Sequence, residues 1–244
     1  PPGEGVPQDH PEWAAQCVDR MQRMVHRDKN HPSVIYWSVG NEAGFGQGHR
    51  DMAGWAREYD ATRPVFYDAE ISDIRRWGYT NPENIKGKAG KPWPIIGKEY
   101  SHAMGNAVGN DFSRYWEIIE EHSNLIGAFI WNWVDESPYK TNENGERFFA
   151  YGGHFGEVPD DGNFVVNGII NADRSIQPEL LEVKKAQQWI GVEPVDLSVG
   201  RIRVHNKYCS TDLDDFTIRW QVLADGLAFE SGELPPTAVA PGKS

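Results

Sequence analysis

The feature that most constrains the fold is the alternation of short apolar runs with segments of helical periodicity. Residues 34–39 form a nearly continuous apolar run, which is typical of a buried parallel strand. The preceding residues repeat apolar side chains at helical spacing from Trp13 to Val25. The five strand-like runs cover residues 34–39, 64–67, 73–79, 94–97 and 125–134, and residues 51–59 and 112–121 show helical patterns. This alternation predicts an α/β protein with a parallel sheet.

The number of strand-like runs limits how much of a barrel the chain can form. A closed (β/α)8 TIM barrel has eight strands in roughly 250 residues, whereas about five β/α units precede the helical pattern at residues 179–189. After Gly191 the sequence alternates polar and apolar residues between Asp and Gly turns. We therefore predict a partial TIM barrel over residues 1–190, comprising about the last five units, and the start of a β-sandwich domain over residues 191–244.

Composition and charge argue against several classes of function. The net charge of −12 is spread along the chain, which disfavours a nucleic-acid partner. No run reaches the roughly 18 to 20 apolar residues of a membrane span, so we expect no membrane partner. Cys17 and Cys209 lie far apart in segments of different type, which indicates neither a disulfide framework nor a cysteine metal site. These features favour a reducing, cytoplasmic location.

Two glutamates directly follow apolar runs and are candidates for acid/base chemistry. Glu42 follows the first run and Glu99 follows the fourth, and the carboxyl ends of parallel strands are where a barrel places its active site. Retaining glycoside hydrolysis uses two carboxyl groups about 5 to 5.5 Å apart. Asn41 precedes Glu42 and can present an amide to a sugar 2-hydroxyl. Either glutamate alone would be interpreted as a solvated loop carboxylate, and Asn41 as part of a simple turn.

Five ordered motifs resemble those of glycoside hydrolase family 2. Residues 27–42 are similar to the acid/base signature of this family, and residues 99–106 resemble the nucleophile signature of its β-galactosidase branch. The remaining three motifs are residues 129–135, 151–156 and 164–168. The resemblance spans roughly residues 9 to 190, and it implies a TIM-barrel hydrolase that releases terminal β-D-galactose from β-galactosides such as lactose by double displacement.

The resemblance also implies roles for individual residues around the sugar. Glu42 becomes the acid/base and Glu99 the residue that forms the covalent galactosyl-enzyme. The residues expected to surround the substrate are Asn41, Tyr79 near the nucleophile, His102 and Asn167 near the galactose 6-hydroxyl, and Trp131 as a platform for the apolar face. Independently of the resemblance, Trp133 is expected to belong to the core. The acidic side chains that flank an expected turn at Asn144 and Gly145 are expected to be solvated, namely those of Asp135, Glu136, Glu143 and Glu146.

Metal sites follow from the same resemblance and are incomplete in this sequence. The family's Mg²⁺ site would use Glu42, together with a glutamate and a histidine that this chain lacks. The family's Na⁺ site would use Phe164 and Asn167, together with an aspartate that is also lacking. Magnesium and sodium are therefore expected cofactors, with Glu42, Phe164 and Asn167 as the ligands that this chain supplies.

Two alternatives remain open from the sequence. A sister activity of the same family, β-glucuronidase or β-mannosidase, is one of them, although the sequence contains no Asn-x-Lys signature for a sugar carboxylate. Another is a fragment that is inactive alone and only binds carbohydrate or complements a missing piece, because an incomplete barrel has exposed strand edges. The complete enzyme is expected to form a homo-oligomer.

Overall fold

The computed structural model describes residues 10–104 and 112–244, in two compact units, Pro1–Leu180 and Leu181–Ser244. Gly105 and Asn106 of the expected nucleophile motif lie outside the described residues. Among the described residues, no helix is long and apolar enough to cross a membrane. The domain limits at residues 190 and 191, and the cytoplasmic location, stay predictions.

The first unit is built on short parallel strands. Strands β1 (Trp37–Ser38) and β2 (Val65–Phe66) form one parallel pair, and β3 (Arg75–Gly78), β4 (Ile95–Tyr100) and β5 (Leu125–Ile130) form a parallel sheet in the order β3-β4-β5. The Asp73 amide donates to the Val65 carbonyl at 2.9 Å, a hydrogen bond that connects β2 with the residue before β3 and so links the two sheets. Beyond β5, the Asn132 amide donates to the Asn167 carbonyl at 2.8 Å and connects this part of the chain with the 167–170 segment.

Helices alternate with these strands or follow them along the chain. They are α1 (Ala14–Asp28), α2 (Gln47–Tyr59), α3 (Pro82–Lys86), α4 (Phe112–Glu121) and α5 (Pro178–Ala186). Cys17, Met21 and Val25 lie at helical spacing on α1 and are all buried. This stripe belongs to the same hydrophobic cluster as Ala56 of α2 and Val65 of β2. Burial of one apolar stripe per helix is what fixes the helices against the strands.

Each of the five apolar runs contains a strand in the structure, and the parallel sheet is the arrangement that the alternation predicted. The number of barrel units stays a prediction. The expectation that Trp133 belongs to the core is wrong, since 56% of it is exposed. Strand β5 ends at Ile130, so the in-and-out alternation assumed for residues 125–134 does not continue to Trp133.

The rest of the chain forms antiparallel hairpins. In the first unit, β6 (Tyr139–Thr141) pairs with β7 (Arg147–Phe149) around the expected turn at Asn144 and Gly145. In the second unit, β8 (Ile190–Asp196) pairs with β9 (Arg201–Asn206), and β10 (Arg219–Ala224) pairs with β11 (Leu227–Glu233). The two hairpins of the second unit agree with the strand-like alternation of polar and apolar residues after Gly191. A complete β-sandwich domain stays a prediction.

Candidate active site

The candidate site lies where strands β1, β3 and β4 end. Glu42 follows β1 with φ of 50°, Tyr79 follows β3 with φ of 37°, and Ser101 follows β4 with φ of 55°. Residues other than glycine rarely adopt this left-handed conformation, which costs of order 1–3 kcal/mol and concentrates at functional sites. Three such residues at neighbouring strand ends therefore mark this edge of the sheet as a candidate site.

Glu99 is the buried carboxylate of the site. Only 9% of it is exposed, and it accepts hydrogen bonds from Asn41 Nδ2 at 3.0 Å on Oε1 and from Tyr79 Oη at 2.7 Å on Oε2. Burial raises the pKa of Tyr79, and its hydrogen bond to Glu99 and the charges of Glu99 and Glu42 raise it further. The phenol thus stays neutral and donates its proton, and both glutamates lie near enough to influence it.

Glu42 is the exposed carboxylate, and a buried lysine holds it. Lys98 Nζ donates to Glu42 Oε1 at 2.7 Å and to Asp68 Oδ2 at 2.6 Å. The side chain of Lys98 is 8% exposed, whereas that of Glu42 is 61% exposed. Burial by itself would lower the pKa of Lys98, but the hydrogen bonds to Asp68 and Glu42 outweigh it and raise that pKa. Lys98 is therefore an ammonium ion.

A second group of expected residues forms a chain of contacts from Tyr79. The ring of His102 lies 5.9 Å from that of Tyr79 and 5.4 Å from that of Phe164, measured between centroids. Asn167 is 2% exposed and its Nδ2 donates to the Phe164 carbonyl at 3.4 Å. Its Oδ1 and His102 Nε2 are buried without a hydrogen-bond partner among the described residues. Buried polar atoms of this kind are suited to a ligand.

Trp131 follows β5 directly. Its amide donates to the carbonyl of Tyr100, the neighbour of Glu99, at 3.0 Å. The residue is 37% exposed, so part of its indole is accessible to a ligand. This exposure is compatible with the expected sugar platform.

The segment that carries Asn167 is fixed by a buried aspartate. Asp135 is 9% exposed and accepts from the Gly168 amide at 2.8 Å and from Gln177 Nε2 at 3.1 Å. A Cβ at Gly168 would lie 2.2 Å from the Asp135 amide nitrogen, so only glycine allows this approach. The expectation that Asp135 is solvated is wrong, because this long-range contact covers its carboxylate.

The described residues differ in how they suit the two expected metals. Among residues 10–104 and 112–244, no group of three or more His, Cys, Asp or Glu side chains is arranged to hold a metal ion. Glu42 is the single expected magnesium ligand and its Oε1 already bonds Lys98, so these residues do not by themselves form a magnesium site. The Phe164 carbonyl and the unpaired Oδ1 of Asn167 are oxygens of the kind that a sodium ion takes, and Asn167 contacts that carbonyl through its Nδ2.

Sequence reasoning brought together Asn41, Tyr79 and Glu99 and missed the residues around Glu42. Lys98 directly follows the apolar run of residues 94–97 and is part of strand β4, and Asp68 follows the apolar run of β2. A charged side chain inside a buried strand is the signal that could have identified Lys98, since such residues are buried only when paired.

Comparisons with known proteins identify the family that the chain resembles. Residues 3–192 match the family model described as glycosyl hydrolases family 2, TIM barrel domain, and residues 202–244 match the model of beta-galactosidase, domain 4. The chain is 34% identical over 251 residues to a beta-galactosidase of Aeromonas hydrophila subsp. hydrophila, covering 95% of this chain and 24% of that protein. It is 40% identical over 232 residues to a beta-galactosidase of Priestia megaterium, covering 91% and 22%.

Among solved structures, a beta-glucuronidase of Ruminococcus gnavus is similar with a TM-score of 0.50 and 18% sequence identity, over 72% of this chain and 35% of that one. At this identity the likeness shows the fold alone. The chain spans about a quarter of the length of the curated relatives that it matches.

Proposed function

Because the chain belongs to glycosyl hydrolases family 2 and contains residues of its TIM barrel domain, we propose that it supplies the catalytic carboxylates of a retaining β-galactosidase. Glu99 acts as the nucleophile and Glu42 as the acid/base. Glu42 follows β1 and Glu99 lies near the end of β4, and the charges of both raise the pKa of Tyr79. This supports one shared site for the two glutamates, as double displacement at one anomeric carbon requires.

The observation that carries the proposal is the environment of Glu99. It is 9% exposed and each of its oxygens accepts from a neutral donor, Asn41 Nδ2 or Tyr79 Oη. These donors hold the carboxylate in one orientation without the full neutralisation that a salt bridge would impose. A nucleophile that must approach an anomeric carbon along one line needs such orientation.

The reaction proceeds in two displacements. Glu99 forms a bond to the anomeric carbon while the glycosidic bond breaks, and Glu42 gives its proton to the leaving oxygen. Glu42, now a carboxylate, takes a proton from a water molecule whose oxygen attacks the same carbon. Glu99 then leaves as a carboxylate, and the sugar is released with its anomeric configuration retained.

The galactose specificity draws on the groups near Asn167. The 6-hydroxyl of galactose would meet His102 Nε2 and Asn167 Oδ1, both buried without a partner among the described residues. An imidazole and an amide can bond a hydroxyl without a charge, whereas the carboxylate of a glucuronide requires a positive partner. Trp131 would pack against the apolar face of the sugar. The curated relatives, both beta-galactosidases, favour the same substrate over the sister activities.

The proposal includes a sodium site. It includes no magnesium site, because the described residues supply only one expected magnesium ligand, Glu42. The carbonyl of Phe164 and Oδ1 of Asn167 would hold a sodium ion beside the sugar, where it would supply positive charge to the 6-hydroxyl. A Glu42 site for magnesium would need further ligands. Assembly into a homo-oligomer is likewise proposed for a complete enzyme.

A second candidate is a chain that is inactive alone and needs complementing strands. Large apolar side chains on and near the sheet are exposed, including Ile35 at 63% and Phe129 at 50%. Apolar surface of this kind normally lies inside a closed barrel. Assaying the isolated chain on a chromogenic β-galactoside separates the two candidates, and we expect no turnover until the remaining strands are supplied.

The catalytic assignment is tested by Glu99→Gln in a polypeptide that carries this chain with strands completing the barrel. Glu143→Gln is the matched control because Glu143 is an exposed glutamate outside the site. We expect turnover of a β-galactoside to fall by at least about 10³-fold for Glu99→Gln, since covalent catalysis is lost. Near-full turnover of this variant would exclude Glu99 as the nucleophile.

A further inference from the structure

Lys98 is a charged group beside the proposed acid/base that the reaction described above does not use. Its side chain is 8% exposed, and it pairs with an acidic residue on each side, Glu42 and Asp68. Asp68 is in turn paired with Arg76, whose Nε lies 2.8 Å from Asp68 Oδ1. The four residues alternate in charge: Glu42 and Asp68 follow β1 and β2, whereas Arg76 and Lys98 lie within β3 and β4.

The backbone of β4 directs Lys98 towards Glu42. Trp77 pairs with Gly97 and the next residue, Gly78, pairs with Glu99, so Lys98 is the extra residue at a register shift. Such bulges redirect side chains and occur next to active sites. The side chain of Lys98 passes next to Gly78, where an added Cβ would lie 3.3 Å from Lys98 Cε. The glycine therefore leaves room for Lys98 to reach across β3.

The contact defines which oxygen of Glu42 is engaged. Lys98 Nζ bonds Oε1 at 2.7 Å, which leaves Oε2 to carry the proton for the leaving group. The side chain of Glu42 is otherwise 61% exposed, and an exposed glutamate has several rotamers to lose when it is fixed in one. A buried ammonium that is itself anchored by Asp68 supplies that restraint. It also favours the carboxylate that forms as the proton departs.

We propose that Lys98 is a positioning residue that holds Glu42 in the orientation for proton donation to the leaving group. The inference rests on the proposed function, and it predicts dependence on the leaving group. A poor leaving group, such as the glucose of lactose, needs the proton of Glu42. A 2,4-dinitrophenolate leaves without it, so loss of Lys98 affects these two substrates differently.

The test measures kcat/KM for lactose and for 2,4-dinitrophenyl β-galactoside, because this ratio covers the steps up to the glycosyl-enzyme. The variants are Lys98→Met and, as a matched control, Lys91→Met, which changes an exposed lysine. General acid catalysis contributes about 10²–10⁴-fold. We therefore expect Lys98→Met to lose at least about 30-fold on lactose and under about 3-fold on the dinitrophenyl substrate, and the control to lose neither.

Two results overturn the inference: equal losses on both substrates, which indicate a general structural defect, or no loss on lactose. Asp68→Asn provides a second variant, because it keeps Lys98 and removes its anchor. It should show the same selectivity to a smaller extent, and equal effects on both substrates count against the inference.

Failure of the proposed function is recognised separately. It appears as an unaltered, barrel-complete protein that hydrolyses neither substrate. In that case crystallography tests the contact between Lys98 and Glu42 directly. A crystal structure in which Lys98 Nζ lies beyond hydrogen-bond distance of both Glu42 oxygens overturns the role of Lys98.

Discussion

Replacing Asp60, which directly follows α2, with alanine should destabilise the first unit. Asp60 is 8% exposed and accepts four hydrogen bonds, from Trp37 Nε1, Arg63 and both the amide and the hydroxyl of Thr62. Arg63 also donates to the carbonyls of Lys29 and Val34. The network ties α2, β1 and the loop before β2 together.

The magnitude follows from what remains after truncation. Removing one partner of a buried ion pair costs about 3–5 kcal/mol, because the other charge stays buried. Arg63 keeps its backbone acceptors and its side chain is 16% exposed, which favours the lower end, about 3 kcal/mol. Trp37 is 2% exposed and its Nε1 would lose its acceptor. Asp60→Asn preserves the shape but turns an amide towards donors, so we expect a loss of about 2 kcal/mol.

The pH dependence has a definite sign. The hydrogen bond from Thr62, followed by those from Trp37 and Arg63, lowers the pKa of Asp60 below its usual range despite burial. A lowered pKa in the folded state stabilises the protein above the unfolded pKa of about 3.9, and this contribution is lost as the pH falls through the folded value. The difference between the unaltered protein and Asp60→Asn should therefore be constant from about pH 6 to 8 and shrink below about pH 4.

Urea denaturation followed by tryptophan fluorescence measures these differences, provided that the denaturant slope is unchanged. Asp19→Asn is the control, because Asp19 forms a surface pair with Arg23 and exposed pairs contribute little. A loss below about 1 kcal/mol for Asp60→Ala, or a difference that grows as the pH falls, would refute the reasoning.

Three further predictions concern the site and the sheet. Tyr79→Phe removes the 2.7 Å hydrogen bond to Glu99 and should lower kcat about 10- to 100-fold with little change in unfolding free energy, measured by steady-state kinetics and urea denaturation. Gly97→Ala places a Cβ 2.5 Å from Trp77 Cζ2 and should cost about 1–3 kcal/mol of unfolding free energy. Replacing sodium with choline in the assay buffer should raise KM several-fold, and an Asn167→Ala variant should be insensitive to that replacement.

The strands and the helices could be predicted because their signals are local. Short, largely apolar runs gave the positions of β1, β2, β4 and β5, and a weaker run that includes Arg75 and Arg76 gave β3. The helical spacing of Cys17, Met21 and Val25 gave α1. Strand ends were less certain, because where a strand stops depends on its neighbours. Residues 131–134 continue the apolar run of β5 in sequence but have left the regular strand in the structure, which is why Trp133 was wrongly assigned to the core.

The candidate site could be predicted where a motif is contiguous and not where it depends on distant pairs. Asn41, Glu42 and Glu99 occur in recognisable stretches. The pairing of Lys98 with Glu42 joins residues 56 positions apart, and that of Asp135 with Gly168 joins residues 33 positions apart. A sequence shows that a charged residue is present in each case, but its partner is chosen by the register of neighbouring strands.

Strand β4 explains how one short segment controls both proposed catalytic groups. Glu99 accepts hydrogen bonds from the neutral donors Asn41 and Tyr79. Lys98, the residue before it, donates a hydrogen bond to Glu42. In a regular strand adjacent side chains point to opposite faces, and the register shift at Lys98 allows the lysine to reach the end of β1. Because both contacts depend on this shift, a change that restored the regular register would displace Lys98 from Glu42 and Glu99 from Tyr79 together. The register shift in β4 therefore affects the positions of both carboxylates, even though Glu42 follows a different strand, β1.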